Sequence, residues 1–280
     1  VVEVVKRIAN GFVRDRFGVS GEGMRAGVLS DSFDCGVFGG LPGTAQPNRY
    51  ADDIASGDMP AGVDIRSDIP CGIDEGRGMA NLMYDLAPDL EFSFHTAFNG
   101  QASFAANIVD LAPPQSAGGA GADVVVDDIR YYTEPFFQDG VIAQGVDIAV
   151  FNLGVPYFAS AGNQSDQSYE SPFVDSGLTL ADAAAQFDAQ FGTSSTIPAS
   201  EQGVILHDFD AGAGVDVFND YNGTGLFSFQ WVDSYFSASG VGADNDLNIY
   251  IFSQAAGGFL NLSFLYDNQI GLDPIEFFSG

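Results

Sequence analysis

The chain has 280 residues, 46% of them apolar, and 38 acidic side chains against 9 lysines and arginines give a formal charge of −29. That length and apolar share fill a real core and exclude a disordered chain, while the charge repels nucleic acid and anionic membrane and suits a solvent rich in salt or divalent cations. No apolar run approaches the ~18 to 20 residues of a membrane helix, so neither a membrane span nor a nucleic-acid partner is expected.

No charged-then-apolar leader precedes the body, and the first residue is Val1, so a processed or trimmed start is expected. Five cations, Lys6, Arg7, Arg14, Arg16 and Arg25, fall before residue 26, which leaves the rest more acidic still and reads as a solvated acidic face. The two cysteines, Cys35 and Cys71, are expected to bridge in an exported, secreted or cell-surface protein. The bridge would close a loop of about 37 residues, worth roughly 4 kcal/mol in the chain-entropy picture; the alternative is two unlinked buried thiols.

Along the chain, "AGVLS" (26–30) and "VDIRS" (63–67) read as strands. After Glu75, the residues Met79, Leu82, Met83 and Leu86 follow the i, i+3, i+4, i+7 spacing of an amphipathic helix. "LEFSF" (90–94) is a strand, "QASFAANIVDLA" (101–112) a helix, "ADVVVDDI" (122–129) a buried strand, "FFQDGVIAQGVDIAV" (136–150) a helix and "VPYFAS" (155–160) a strand. Alternation of this kind predicts an α/β fold with a doubly wound, mostly parallel sheet, whose active sites sit at the carboxyl ends of strands. "LTLADAAAQFDAQF" (178–191) can form a short helix, and the Gly/Ser-rich text at 116–121 and 192–200 reads as loop. Beyond about residue 200, "GVILHDF", "GLFSFQWVDSYF", "DLNIYIF", "GFLNLSFLYD" and "PIEFF" are short aromatic strands split by Gly, Asn and Asp, an antiparallel β-rich segment. The expected division is 1–200 for the α/β domain and 201–280 for the β part, with no internal repeat of useful length.

Three polar residues fall at the ends of these central elements. Asp31 follows the first strand in "GVLSDSFD", Glu75 lies in the first turn of the next helix, and Asn163 follows a later strand in "SAGN". An acid, a proton acceptor and a carboxamide on one rim make a hydrolase constellation.

The blocks "GEGMRAGVLSDSFD", "DEGRGMANLMYDLAPD" and "YFASAGN" resemble, in order and near the spacing, three blocks of the subtilisin-like serine proteases: the acid-bearing strand, the histidine-bearing helix and the oxyanion block. The resemblance covers roughly residues 18–170 and continues more weakly into "LHDFDAGAGVD" and "DNDLNIYIF", which look like the β insert or appended β domain of some bacterial members. It implies a subtilisin-like sheet and cleavage of a polypeptide substrate. On it, Asp31 orients the base, Glu75 takes the base's position where most members have His, and Asn163 donates to the oxyanion. Glu for His is similar to the acid-acting sedolisins; those place an aspartate four residues after the Glu, where this chain has Met79, so Asp31 becomes the expected partner acid.

Two neighbouring carboxylates can share a proton, and such a pair accepts a serine proton under mildly acidic conditions where an imidazole is already charged. An acid optimum is therefore expected; the bland alternative for Glu75 is an ordinary first-turn acid facing the helix dipole. Asp127 and Asp128 end another central strand, in the block where subtilases bind substrate, and either line a substrate pocket or divide between solvent and a helix cap.

For the nucleophile, Gly192, Thr193 and Ser194 match a Gly-Thr-Ser block, with Ser194 as the candidate. The Ser-Thr-Ile-Pro that follows is a poor helix start, and the expectation is that the serine lies beyond Gly280 or is absent. His95 and His207 read as packing residues before catalysts. No cofactor is expected. "DNDLN" puts Asp244, Asp246 and Asn248 at alternate positions, which suits a structural calcium but lacks the glycine and closing glutamate of an EF-hand, so a surface turn is the safer reading. The Asn-x-Ser/Thr triplets at Asn163, Asn222 and Asn261 are taken as chance matches. The sequence thus points to a secreted serine endopeptidase-like domain, with a non-catalytic extracellular scaffold as the rival, open to assembly with copies of itself.

Overall fold

The computed structural model describes residues 10–38, 48–163, 167–210, 212–220, 225–260, 266–267 and 270–279. The chain separates into two compact units, residues 1–134 with 139–163, and residues 135–138 with 164–280.

In the first unit, helix α1 (Asn10–Phe17) leads into β1 (Arg25–Ser30), the middle strand of a five-stranded sheet of order β3-β5-β1-β6-β7. The others are β3 (Asp64–Ser67), β5 (Glu91–Thr96), β6 (Val124–Asp127) and β7 (Tyr157–Ala159), and every pairing among them is parallel. Parallel neighbours need crossover connections, and helices supply them on both faces. Side chains of β1 alternate: Ala26 and Val28 join Phe92, Phe94 and Ala80 of helix α3 (Glu75–Leu86) on one face, while Leu29 joins Phe104, Ile108 and Leu111 of helix α4 (Gln101–Leu111) on the other. Helix α2 (Tyr50–Ser56) ends at Gly57, and β2 (Val37–Phe38) pairs with β4 (Cys71–Gly72) outside the main sheet. The expected doubly wound parallel architecture is what the first unit forms.

Two details differ from the periodicity. Helix α3 packs through Gly76, Ala80, Met79 and Met83, leaving Leu82 45% exposed, because the stripe is rotated toward its smallest residues. Residues 136–140 are not helical: helix α5 (Val141–Asp147) begins after Gly140 and continues as a π-turn at Ile148–Asn152. Pro135–Gln138 instead belongs to the second unit, where Phe136 N–H donates to Gln230 Oε1 at 2.9 Å and Tyr235 N–H to Gln138 Oε1 at 3.0 Å. Those bonds tie Phe136 and Gln138 to partners in the second unit.

The second unit starts at residue 164, earlier than the change of character near residue 200 suggests, because the segment 175–191 packs with the β-rich part. Strand β8 (Asp175–Thr179) pairs antiparallel with β9 (Ile205–His207). Helix α6 (Leu180–Phe191) opens on a Thr179/Asp182 capping box and stops at Gly192, whose φ of +69° favours glycine. Strands β10 (Leu226–Gln230), β13 (Tyr266–Asp267) and β14 (Ile275–Ser279) form an antiparallel sheet, and β11 (Ile251–Ser253) pairs with β12 (Gly258–Leu260). The stretch read as one strand at 225–236 breaks after Gln230, and Phe236–Ser239 is a single helical turn, α7. Phe187 of α6 meets Phe252 at 5.2 Å between ring centroids, and Phe252 meets Phe259 edge-to-face at 5.6 Å, so contacts between half-buried aromatic rings help hold this unit.

Candidate functional site

The carboxyl edge of the first unit's sheet is built around the turn that opens helix α3. Asp31, 4% exposed just past β1, accepts main-chain N–H groups with both oxygens: Oδ1 from Ser32 at 2.5 Å and Glu75 at 2.9 Å, Oδ2 from Ile73 at 2.6 Å. Two of these donors are at or just ahead of the helix N-terminus, where helical N–H groups have no internal partner. The bond that links Asp31 to Glu75 thus runs from the Glu75 main chain to the Asp31 side chain, not between the two carboxyls.

Asp74, the residue before the helix, is the single non-glycine residue with positive φ among those described, at φ 57° and ψ 38°. An Asp in this left-handed region carries backbone strain, and such strain persists only where surroundings over-determine it. Here they do. Asp74 N–H donates to Ser32 Oγ at 2.9 Å, while its carboxylate accepts from Ser32 Oγ at 2.8 Å, Cys35 N at 2.9 Å and Arg77 Nη2 at 2.9 Å. Arg77 is itself buried, bridges to Asp53, and donates to the carbonyls of Phe33 and Asn48. Close approach finishes the seat: a Cβ on Gly76 would come within 2.4 Å of Phe94 and 3.1 Å of Ser30 Cβ, and one on Gly72 within 2.2 Å of Ser32 Oγ. The result presents an exposed Glu75 side chain in the first turn of a helix anchored to the sheet.

β6 contributes the second acid. Val124 and Val126 pack toward α3 and Val125 toward α4, so alternation sends Asp127 to the α4 face and Asp128 to the α3 face, beside Glu75. Burial pushes the Asp128 carboxyl up to about 6, with the charges of Glu75, Asp127 and Asp31 adding to the rise and the Ser30 hydroxyl opposing it. Asp127, 7% exposed, is raised by burial, against the pull of Tyr157 beside it and the Ile129 N–H it accepts at 3.1 Å. Burial raises Glu134 too, with the charge of Asp127 contributing. The two aspartates read together from sequence therefore face different neighbours.

Asn163 lies beyond β7, exposed, in the segment whose Ser160 N–H bonds Asp127 O at 3.0 Å. Ser194 belongs to the second unit, exposed just after the C-terminal end of helix α6, with its N–H bonded to Gly257 O at 3.2 Å. A subtilase-type serine opens a helix, so the local structure at Ser194 departs from the block it matches. His95, 6% exposed on β5, pairs through Nε2 with Asp110 at 2.7 Å, and Arg66 bridges the same carboxylate at 2.5 Å. His207 sits among Tyr169, Phe173 and Phe209, bonded to Tyr169 Oη and Val174 N at 3.0 Å each. Both histidines are engaged in packing contacts.

The expected disulfide is not formed. Cys35 is buried with its Sγ donating to Val37 O at 2.9 Å and accepting from Gly72 N at 2.9 Å, while Cys71 is exposed. The β2–β4 pairing aligns Cys71 with Val37, two residues past Cys35, so the thiols serve different surroundings. In the "DNDLN" segment, Asp233 Oδ2 gathers the N–H groups of Asp244 and Asn245 at 3.0 Å each; among the described residues no group of three or more His, Cys, Asp or Glu converges as metal ligands. Asn222 and Asn261 lie outside the described residues. Among the described residues no helix is long and apolar enough to cross a membrane.

Sequence reasoning missed Asp74, Ser32 and Ser30. The one available signal was the run of glycines around the "DE" pair, which marks a tight turn but not which side chain locks it.

What fold and edge define together is an α/β protein with a parallel sheet and a carboxylate cluster at the carboxyl ends of its central strands. No protein-family model matches the chain, and no curated protein matches it in sequence. Among solved structures, the chain is similar to MycP1 with the N-terminal propeptide removed, at 16% identity and a TM-score of 0.30, over 60% of this chain. It spans about half of that structure, 52% of its length.

Proposed function

We propose that the chain is the base-bearing part of a subtilase-like serine endopeptidase domain, with Glu75 as the base and the nucleophilic serine supplied from outside these 280 residues. The observation that carries this reading is the strained, fully bonded turn that holds Glu75 exposed at the helix start, with Asp128 on the same face of the sheet. A structural first-turn acid needs no such anchoring. The order of the three sequence blocks supports the same reading, and it assigns Asn163 to the oxyanion and the Asp127/Asp128 rim to substrate. Chemically, an attacking serine hydroxyl gives its proton to the Glu75 carboxylate as its oxygen bonds the scissile carbonyl carbon, and the same proton passes to the departing amine. Secretion or a cell-surface location belongs to the proposal, and the "DNDLN" segment is read as a surface turn.

A fluorophosphonate probe applied to the full-length gene product at about pH 4 to 5, with the labelled residue mapped, tests it. Labelling of one serine that is lost in Glu75→Gln is the expected result. Absence of any labelled serine, together with no peptide hydrolysis, favours the extracellular scaffold instead, with the aromatic second unit as its contact surface.

A further inference from the structure

Helix α1 is docked along one side only. Gly11 and Arg14 are its half-buried positions, and Arg14 Nη1 donates to Asp85 O at 3.1 Å. At about 100° per residue, Phe12, Val13 and Arg16 fall on the side away from that contact, with Phe17 a turn beyond Val13. Phe12 is 67% and Phe17 68% exposed. A helix of 8 residues is marginal by itself, and rings left in water add nothing to hold it. The surroundings are cationic: five of the 9 lysines and arginines, in a chain of net charge −29, fall before residue 26.

The second unit carries a surface of the opposite kind. Residues 167–174 are exposed throughout, yet they are held: Tyr169 Oη and Val174 N–H bond the two ring nitrogens of His207 at 3.0 Å each, and Asp208 N–H donates to Val174 O at 2.8 Å. Tyr169 and Phe173 therefore rest against His207 and Phe209, with centroid separations of 4.7 to 6.1 Å in this cluster, while remaining 55% and 57% exposed. Carboxylates border the rings. Asp175 is opposite His207 in the β8–β9 register and shares its face, and Asp208 Oδ1 gathers the N–H groups of Asp210 and Asp216 at 2.9 Å each, which folds both acids up to Phe209.

A bonded ring cluster facing solvent is a preorganised anchor, and its acidic border repels acidic partners while favouring an arginine laid over a ring. We propose that helix α1 of one copy docks on the acidic ring cluster of a second copy, joining copies head to tail through Phe12, Arg16 and Phe17. Such a contact is heterologous, so it continues into a ring or an open chain of copies. It is also small, and the net charge opposes it, so association is weak and appears at roughly 0.1 to 1 mM protein in salt that screens the long-range repulsion. None of the residues assigned to peptide hydrolysis takes part, and the proposal stands apart from that reading.

Sedimentation velocity of the whole chain, from micromolar to millimolar concentration in about 0.15 M salt, tests it. The mean mass of the wild type is expected to rise with concentration, and Arg16→Glu and Phe173→Ser are each expected to weaken association at least ~10-fold. Both positions are exposed, and unchanged urea midpoints verify that both variants fold. Each variant keeps one surface intact, so mixing the two is expected to give one-to-one dimers that grow no further, although neither associates alone. Phe151→Ser, at an exposed ring of the first unit outside both surfaces, is expected to behave as wild type. A wild type that stays monomeric throughout, a mixture that fails to pair, or an equal loss in Phe151→Ser overturns the proposal.

Discussion

Asp31 Oδ1 accepts the main-chain N–H of Glu75 at 2.9 Å, so the first acid of the site supports the second through the backbone. Replacing Asp31 by Asn turns one of its two acceptor groups into an amide donor facing at least one of the N–H groups of Ser32, Ile73 and Glu75. In either amide orientation, buried donors are left opposed. Asp31→Asn is expected to lower stability by about 2 to 4 kcal/mol in urea unfolding and to abolish activity with it.

Asp74 invites a graded comparison. Asn tolerates the left-handed region and keeps one acceptor oxygen, whereas Ala removes every side-chain bond and leaves Arg77 buried with Asp53 as its remaining carboxylate. Asp74→Asn is expected to cost less than Asp74→Ala, the latter by about 3 kcal/mol or more. Equal losses would mean that neither the left-handed backbone nor the hydrogen-bond set decides the stability of this turn. Gly76→Ala is expected to destabilise by about 1 to 3 kcal/mol, since the added methyl meets Phe94 inside contact distance.

Much of this arrangement was legible in the sequence, and the rest was hidden for identifiable reasons. The strands at 25–30, 91–96 and 124–127 show as compact apolar runs because both faces of a parallel strand are buried. Helix α3 shows because its apolar residues repeat at helical spacing. Alternation in "VVVDD" could have assigned Asp128 to the face of Val124 and Val126, but which helix covers that face depends on the crossover, which no local pattern records. Residues 136–138 are apolar enough for a helix, yet their polar groups find partners some hundred residues away in Gln230 and Tyr235. The role of Asp31 as a clamp on main-chain N–H groups was invisible because two of its three donors, Ile73 and Glu75, lie more than forty residues on in the chain.

The pH dependence of stability has a definite sign. Asp128 has a folded-state value near 6, above the ordinary 3.8, so between about pH 4 and 6 the folded chain binds more protons than the unfolded one. Stability from this group is therefore present on the acid side and lost as pH rises toward 6. Asp127, Glu134 and Asp68, all raised chiefly by burial, act in the same direction. Asp34, held low mainly by its bond to Arg49, and Asp110, lowered through His95 and Arg66 against its own burial, act in the opposite direction and lose their contribution only as pH falls below the ordinary carboxylate range. Urea midpoints are expected to be higher at about pH 5 than at pH 7, with a shallower slope in Asp128→Asn.

The two thiols should differ in reactivity. In the native protein, maleimide is expected to modify exposed Cys71 readily and buried Cys35 only after unfolding. Mass analysis under non-reducing conditions is expected to find both thiols free, and a protected Cys71 or a two-hydrogen mass deficit would show a bridge after all.

The most direct test of Glu75 as the base is the rate of peptide hydrolysis by the full-length gene product from about pH 3 to 8, compared with Glu75→Gln. Wild-type activity on the acid side of neutrality, with at least a ~100-fold loss in the variant, is the expected result. Hydrolysis that proceeds equally in both proteins would contradict it.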